Sequence, residues 1–292
     1  MPSQVLAWHV IDESLLAATC GYTSVVESGG YVTLRTMAKA LVETVIGRDI
    51  RSIEPGTVAF IDKRNRHHAW FSYDLQLQWL LETNDVDLVV DVGANEGQFA
   101  QRVRRVYAGE IMSFEPVSAP FGRLAELARA DPRWSAHQLA LGSADATATI
   151  HVASDTAFSS LLPANEFSRQ RFRRSVVLSE EAVCVKRLDD VLAPLLGATG
   201  RRRLFLKLDT QGYDLEVFNG LGARLDQVMV MQSEVSLMTI YNGMPHWTES
   251  IDMYERAGLH VAGMFPVTRD ATGRIIEYDC LLVRGATPAA SP

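Results

Sequence analysis

From residue 87 onward, apolar and polar positions follow a strand-and-helix rhythm. DLVVDVG at 87–93 is an apolar run closed by a glycine, the pattern of a strand buried on both faces. EGQFAQRVRRVY at 96–107 has helical spacing, with Phe99, Val103, Val106 and Tyr107 sharing one face. A second strand is expected over 110–116, a second helix over 121–129 and a third strand over 134–141. LFLKLD at 204–209 and QVMVMQSEV at 227–235 read as two further strands, with a helix over 213–219 between them. A helix over 248–257 stops at Gly258. LHVAGMF, a turn around 270–274 and IIEYDCLLVR then form a terminal hairpin. This alternation predicts an α/β fold with a mostly parallel sheet, to which the hairpin adds an antiparallel strand.

Two stretches depart from the rhythm. Residues 1–75 hold an apolar helix-like segment at 31–46, turns with Pro55-Gly56 and a basic stretch at 63–68. They are expected to form a small N-terminal subdomain, either a cap over the site or a dimerisation arm giving a homodimer. The core domain then spans 76–284. Within it, 146–190 reads as an insertion, two strands flanking a polar, arginine-rich loop, and 285–292 reads as a loose tail.

Composition narrows the function classes. Apolar residues make up 47% of the 292, and 28 basic against 35 acidic side chains leave a net charge of −7. That is a globular chain, with a charge balance that argues against nucleic-acid and anionic-membrane partners. Cys20, Cys184 and Cys280 are odd in number and far apart, so they form neither a disulfide framework nor a metal-ligand spacing. With no apolar run of spanning length and no basic start typical of an export signal, a cytoplasmic location is expected.

The chemistry-bearing motifs sit at strand ends. Asp91, Gly93, Ala94, Asn95 and Gly97 close the first core strand and open a helix. Glycines there free the backbone for a ligand, and an acid before the first glycine suits a cationic one such as a sulfonium. Glu115, ending the next strand, is placed to accept ribose hydroxyls, as acids do in nucleoside-binding folds. Asp209 closes the strand expected beside the first, and Glu234 ends the one after it. Two such carboxylates can share a proton, hold a divalent cation or orient an acceptor hydroxyl; either can equally cap a helix or pair with Lys207.

In order along the chain, VVDVGANEGQF, SFEPVSAPFGRL, ALG, SSLLP, VKRLDDVL, LFLKLDTQGYDLEVFNG, SEVSLMTIYNGMPHW and TGRIIEYDCLLVR resemble the FkbM family of S-adenosylmethionine-dependent methyltransferases. The resemblance implies a Rossmann-like class I methyltransferase fold and methylation of a hydroxyl on a sugar or natural-product acceptor. It assigns Asp91, Gly93, Asn95 and Gly97 to the cofactor loop, Glu115 to the ribose, and Ala140 with Leu141 to the adenine side. Asp209, Gln211, Glu234 and Tyr241 match acceptor-side positions. Many members have Glu where Gln211 stands, so a role needing a carboxylate there does not carry over. Tyr278-Asp279-Cys280-Leu281 also replaces a smaller segment, reshaping the acceptor mouth.

An alcohol needs a base, and His246, after the Tyr241–Pro245 loop, is the histidine candidate; His67 and His68 read as an exposed basic turn, and His9 shows no partner pattern. A divalent cation, if present, would take Asp209 and Glu234. FSRQRFRR at 167–174 can be read as a solvated loop, an RNA-stacking surface or a basic lid for a phosphorylated acceptor. The expected function is O-methylation of a small metabolite by S-adenosylmethionine. The alternatives are a non-catalytic scaffold of the same fold or, against the acidic charge, an RNA methyltransferase.

Overall fold

The computed structural model describes residues 48–54, 57–62, 72–196 and 202–285. The chain divides into two compact units between Trp79 and Leu80. In the first, β1 (Arg48–Glu54) and β2 (Thr57–Asp62) pair as an antiparallel hairpin. The segment at 31–46, His9, Cys20, the His67-His68 pair and the tail beyond Gly285 lie outside the described residues. Helix α1 (Tyr73–Thr83) spans the boundary between the units.

The described residues of the second unit form ten strands: β3 (Leu88–Val92), β4 (Glu110–Phe114), β5 (Trp134–His137), β6 (Ala140–Gly142), β7 (Ala146–Ala153), β8 (Val177–Arg187), β9 (Leu204–Leu208), β10 (Val228–Ser236), β11 (Leu259–Arg269) and β12 (Ile275–Arg284). Seven form one sheet in the order β11-β12-β10-β9-β3-β4-β5. Neighbours from β10 to β5 run parallel, whereas β12 is antiparallel to both β10 and β11. The mostly parallel α/β sheet with an antiparallel C-terminal hairpin is therefore the fold, as its apolar pattern dictates. β3 (LVVDV) and β9 (LFLKL) are buried at every position, which places them at the centre. Among the described residues six α-helices follow α1: α2 (Gln98–Arg104), α3 (Ser118–Arg129), α4 (Glu166–Arg171), α5 (Leu188–Leu196), α6 (Asp214–Asn219) and α7 (Trp247–Arg256). Leu88, Val90, Phe114, Leu206, Val217, Met231 and Tyr254 belong to one continuous core.

Two expectations need correction. The single strand over 134–141 is broken: β5 stays beside β4, while β6 leaves to pair with β8 in a second sheet of order β6-β8-β7. At the break Gln138 donates through Nε2 to the Pro116 carbonyl and the Ser118 hydroxyl. The second sheet owns a small core of Val117, Ala140, Ile150, Val152, Val183 and Val185, which draws Ala140 out of line. The arginine-rich stretch, in turn, is a short helix, α4, whose N-cap Asn165 accepts from the Ser168 N–H at 2.9 Å.

In-register pairing produces one feature that apolar patterning alone conceals. Asp91 on β3 stands opposite Ser113 on β4 and Lys207 on β9, and Lys207 stands opposite Gln232 on β10. A polar row thus crosses four buried strands near their carboxyl ends.

Candidate active site

The turn after β3 is held in shape by left-handed residues. Gly93 (φ 73°), Asn95 (φ 47°) and Gly97 (φ 89°) occupy a region that favours glycine and tolerates asparagine. A side chain at Gly93 would overlap the carbonyl oxygen of Asp209, and one at Gly97 would press on Trp134 and Leu124. These glycines are thus required by protein packed against them, a reason different from ligand access. Ala94 is buried and donates its N–H to the Phe114 carbonyl at 3.0 Å.

Glu115 sits against this turn. One carboxylate oxygen accepts the Asn95 N–H at 2.8 Å and the other the Val117 N–H at 2.9 Å. Burial pushes its pKa up to about 7, and these two amides only partly offset the cost of ionising it. No cation salt-bridges it among the described residues, and each oxygen keeps a lone pair for a hydroxyl donor. That pair of acceptors fits the two hydroxyl donors of a ribose diol.

Asp91 is placed differently from expectation. It is fully buried, with Lys207 Nζ 3.2 Å from one oxygen and the Ser113 hydroxyl donating to the other at 3.2 Å. Burial holds its carboxyl above the usual range despite Lys207. Its charge therefore faces a protein ammonium, so it offers no exposed charge to a cationic ligand. Lys207 also donates to the Gly93 carbonyl at 2.9 Å and lies 3.2 Å from Asp209 Oδ2. Burial alone would lower the lysine pKa, but the Asp209 and Asp91 carboxylates more than compensate and keep it charged.

Asp209 and Glu234 do come together, through Gln211. Its Nε2 donates to Asp209 Oδ1 at 3.1 Å and to Glu234 Oε2 at 2.8 Å, while Tyr241 donates to its Oε1 at 2.7 Å. Gln211 itself has φ 54°, and its carbonyl accepts from the Ser160 hydroxyl at 2.8 Å. Burial, reinforced by the Asp209 charge, raises the Glu234 pKa well above the usual range. Across β12, Asp279 stands opposite Glu234 and accepts from Gln232 at 2.8 Å; burial lifts its pKa to about 6. Of these acids Asp209 is the open one, its side chain 35% exposed.

The insertion reaches both halves of this site. Thr156 donates to the Asn95 side chain at 2.8 Å, and the Phe158 carbonyl lies 3.0 Å from the Tyr241 hydroxyl. Phe172, which follows α4, packs with Tyr241, Ile240 and Ile276. Three of the arginines around it are engaged: Arg169 donates to the Ala164 carbonyl, Arg171 to the Arg269 carbonyl, and Arg174 pairs with Asp155. They staple the insertion in place.

The remaining candidates fall elsewhere. His246 is the N-cap of α7: Nδ1 lies 3.4 Å from the Thr248 N–H it accepts and 2.7 Å from the Thr248 hydroxyl, and Glu249 returns a bond to the His246 N–H. Ala140 and Leu141 are buried in β6, packed into the two apolar cores. Among the described residues, no three His, Cys, Asp or Glu side chains converge as metal ligands, and no helix is long and apolar enough to cross a membrane. The pairing of Asp209 with Lys207, one of the readings its sequence position allows, is present, and Lys207 also reaches Asp91; Ser113, Gln232 and Asp214 are participants that sequence reasoning missed. The available signal was a polar residue inside a strand that is otherwise wholly apolar. Asp214, at the start of α6, accepts from the Thr210 N–H and both the Thr210 and Ser233 hydroxyls, which fixes the loop carrying Asp209 and Gln211.

Solved structures with a similar chain path include magnesium protoporphyrin IX methyltransferase from Synechocystis PCC 6803 (9% identity, 75% of this chain and 79% of that one, TM-score 0.40). Precorrin-6y C5,15-methyltransferase from Geobacter metallireducens (10%, 73% and 87%, 0.38) and an rRNA methylase from Streptococcus thermophilus (10%, 72% and 94%, 0.38) are others. No curated protein sequence matches the chain significantly. The profile of the methyltransferase FkbM domain matches residues 91–258, from the buried aspartate of β3 to the glycine that ends α7. That is more than half of the chain, and it belongs to the FkbM methyltransferase family.

Proposed function

We propose that the protein transfers a methyl group from S-adenosylmethionine to a hydroxyl of a sugar or other small natural-product acceptor. The observation that carries the reading is the placement of Asp209: an open carboxylate held between Lys207 and Gln211, its backbone abutting the Gly93 turn beside Glu115. The cofactor, when bound, supplies a methyl group on a sulfonium.

The chain's part is to bind, to orient and to manage one proton. Glu115 would accept the ribose hydroxyls, and the 93–97 turn would face the cofactor's amino-acid end. Asp209 would receive the acceptor's hydroxyl proton on Oδ1 or Oδ2 as the oxygen–carbon bond forms and the carbon–sulfur bond breaks. A sugar hydroxyl is too weak an acid to be ionised beforehand, so proton removal belongs to the same step. The two oxygens are held from opposite sides, which fixes the carboxylate plane; such positioning is worth several orders of magnitude in rate. Glu234 supports Asp209 through Gln211, and a divalent cation taking part would be held by these two carboxylates. Ala140 and Leu141 would act by shaping the adenine side through packing.

Titration calorimetry with S-adenosylhomocysteine is the test. Heat saturating at a 1:1 ratio supports the reading, and absence of binding at millimolar ligand overturns it. With an acceptor in hand, Asp209→Asn should abolish turnover and leave cofactor binding intact.

A further inference from the structure

Lys207 is a buried charged group that exchanges no proton in the proposed reaction. Its side chain is 5% exposed, and Nζ meets three oxygens from two different loops. The Gly93 carbonyl (2.9 Å) and Asp91 (3.2 Å) belong to the cofactor turn and its strand; Asp209 (3.2 Å) belongs to the acceptor side. The ring of Phe99, on α2, lies under the ammonium with its centroid 5.6 Å away. The backbones of the two loops touch as well, since the Asp209 N–H donates to the Val92 carbonyl at 3.2 Å and its carbonyl fills the space beside Gly93. Beyond Asp209 the chain of contacts continues through Gln211 to Glu234 and Tyr241; behind Asp91 it continues through Ser113 to the Trp134 indole at 3.0 Å.

We infer that Lys207 is a positioning residue that couples the two halves of the site: its ammonium ties the cofactor turn to the Asp209 carboxylate, so that ordering one orders the other. Ligand seated on the 93–97 turn fixes the Gly93 carbonyl, hence the ammonium, hence Asp209 and the loop after it. The acceptor-side acid is then in its working position only when the cofactor is present. This rests on the proposed cofactor reading, and the two can fail separately.

Hydrogen exchange with and without S-adenosylhomocysteine reads the coupling directly. In the wild-type chain the ligand should slow exchange of amides in both 93–97 and 209–213, by about tenfold or more. Asp209→Asn, at a partly exposed position, should keep the protection at 93–97 and lose it at 209–213. The charge-balanced pair Asp91→Asn with Lys207→Met should do the same. A direct ligand contact with 209–213 would still protect that loop in the paired variant, so full protection of both segments there overturns the inference. So does a wild-type chain that binds the ligand and protects 93–97 alone. If the paired variant does not fold, Asp209→Asn decides by itself. No binding to the wild-type chain overturns the cofactor reading, and this inference with it.

Discussion

The Tyr241 hydroxyl donates to the side-chain oxygen of Gln211 at 2.7 Å, and that bond decides which end of the amide faces the carboxylates. A glutamine has one acceptor end and one donor end. With the phenol on the oxygen, the NH2 group is left to bridge Asp209 and Glu234, the arrangement that satisfies all three partners. Tyr241→Phe removes the donor and leaves a buried amide oxygen unpaired. The expected cost is about 1–3 kcal/mol in chemical denaturation. A loss of less than half that would show that the amide finds water instead.

Gln211→Glu tests the same network through charge. A third carboxylate would face Asp209 and Glu234, so one of the three must hold a proton to keep the cluster. At low pH the new acid carries that proton and donates one hydrogen bond to a neighbouring carboxylate, where the amide donated two. As pH rises it must ionise against its neighbours, and stability falls. The melting temperature of the variant should sit close to wild type near pH 5 and well below it at pH 8. An equal offset at both pH values would exclude the charge explanation.

Much of this arrangement was legible in the sequence, and the reason is physical. β3 and β9 are buried on both faces, so their apolar runs are unbroken, and the turn glycines that follow mark where each strand stops. What patterning could not show is the register between strands. Lys207 in LFLKL reads as a lone interruption until β9 is set beside β3, where it lands opposite Asp91. The break between His137 and Ala140 was invisible for a related reason. The residues keep a strand-like pattern, and only the distant valines of β8 decide which sheet they join. In the arginine-rich run the helix start rests on one cap, the Asn165 side chain accepting from the Ser168 N–H, a signal that the run's four arginines overshadow.

His246 illustrates how local chemistry competes with function. Its ring accepts from the first turn of α7, and Glu249 closes the reciprocal bond. His246→Ala should therefore lower stability by about 1 kcal/mol, a melting shift of about 2–4 °C for a domain of this size. His246→Asn, which caps as well, should recover it. If His246 served as the base, the asparagine variant would restore stability without restoring turnover; full turnover in that variant assigns the residue to capping alone.

The turn glycine gives a test of geometry without a ligand. Gly93 combines φ 73° with a neighbouring Asp209 carbonyl where a β-carbon would stand. Gly93→Ala must therefore strain the backbone and also push β9 away from β3. A loss of about 3 kcal/mol or more is expected, visible as a lowered denaturation midpoint. A neutral outcome would mean that the two strand ends are further apart in solution.

Glu115 supplies the pH dependence. Burial raises its pKa from an ordinary 4.5 to about 7, so the folded chain holds a proton there that the unfolded chain releases. Stability from this group is complete below about pH 4.5 and declines as pH rises toward about 7. Glu277 and Asp279, both lifted to about 6 by burial, act with the same sign. Ligand binding should run the opposite way. Ribose hydroxyls donate to the ionised carboxylate, so S-adenosylhomocysteine must displace the proton before it binds well. Its affinity should rise by up to about tenfold per pH unit on approaching pH 7 from below, and level off above it. Glu115→Gln keeps the shape but accepts with one oxygen only, so it should bind more weakly and lose the slope. Calorimetry of both chains between about pH 6 and pH 8 separates the cases. A slope that survives in the glutamine variant would move the titrating group from Glu115 to another buried acid such as Glu234 or Asp279.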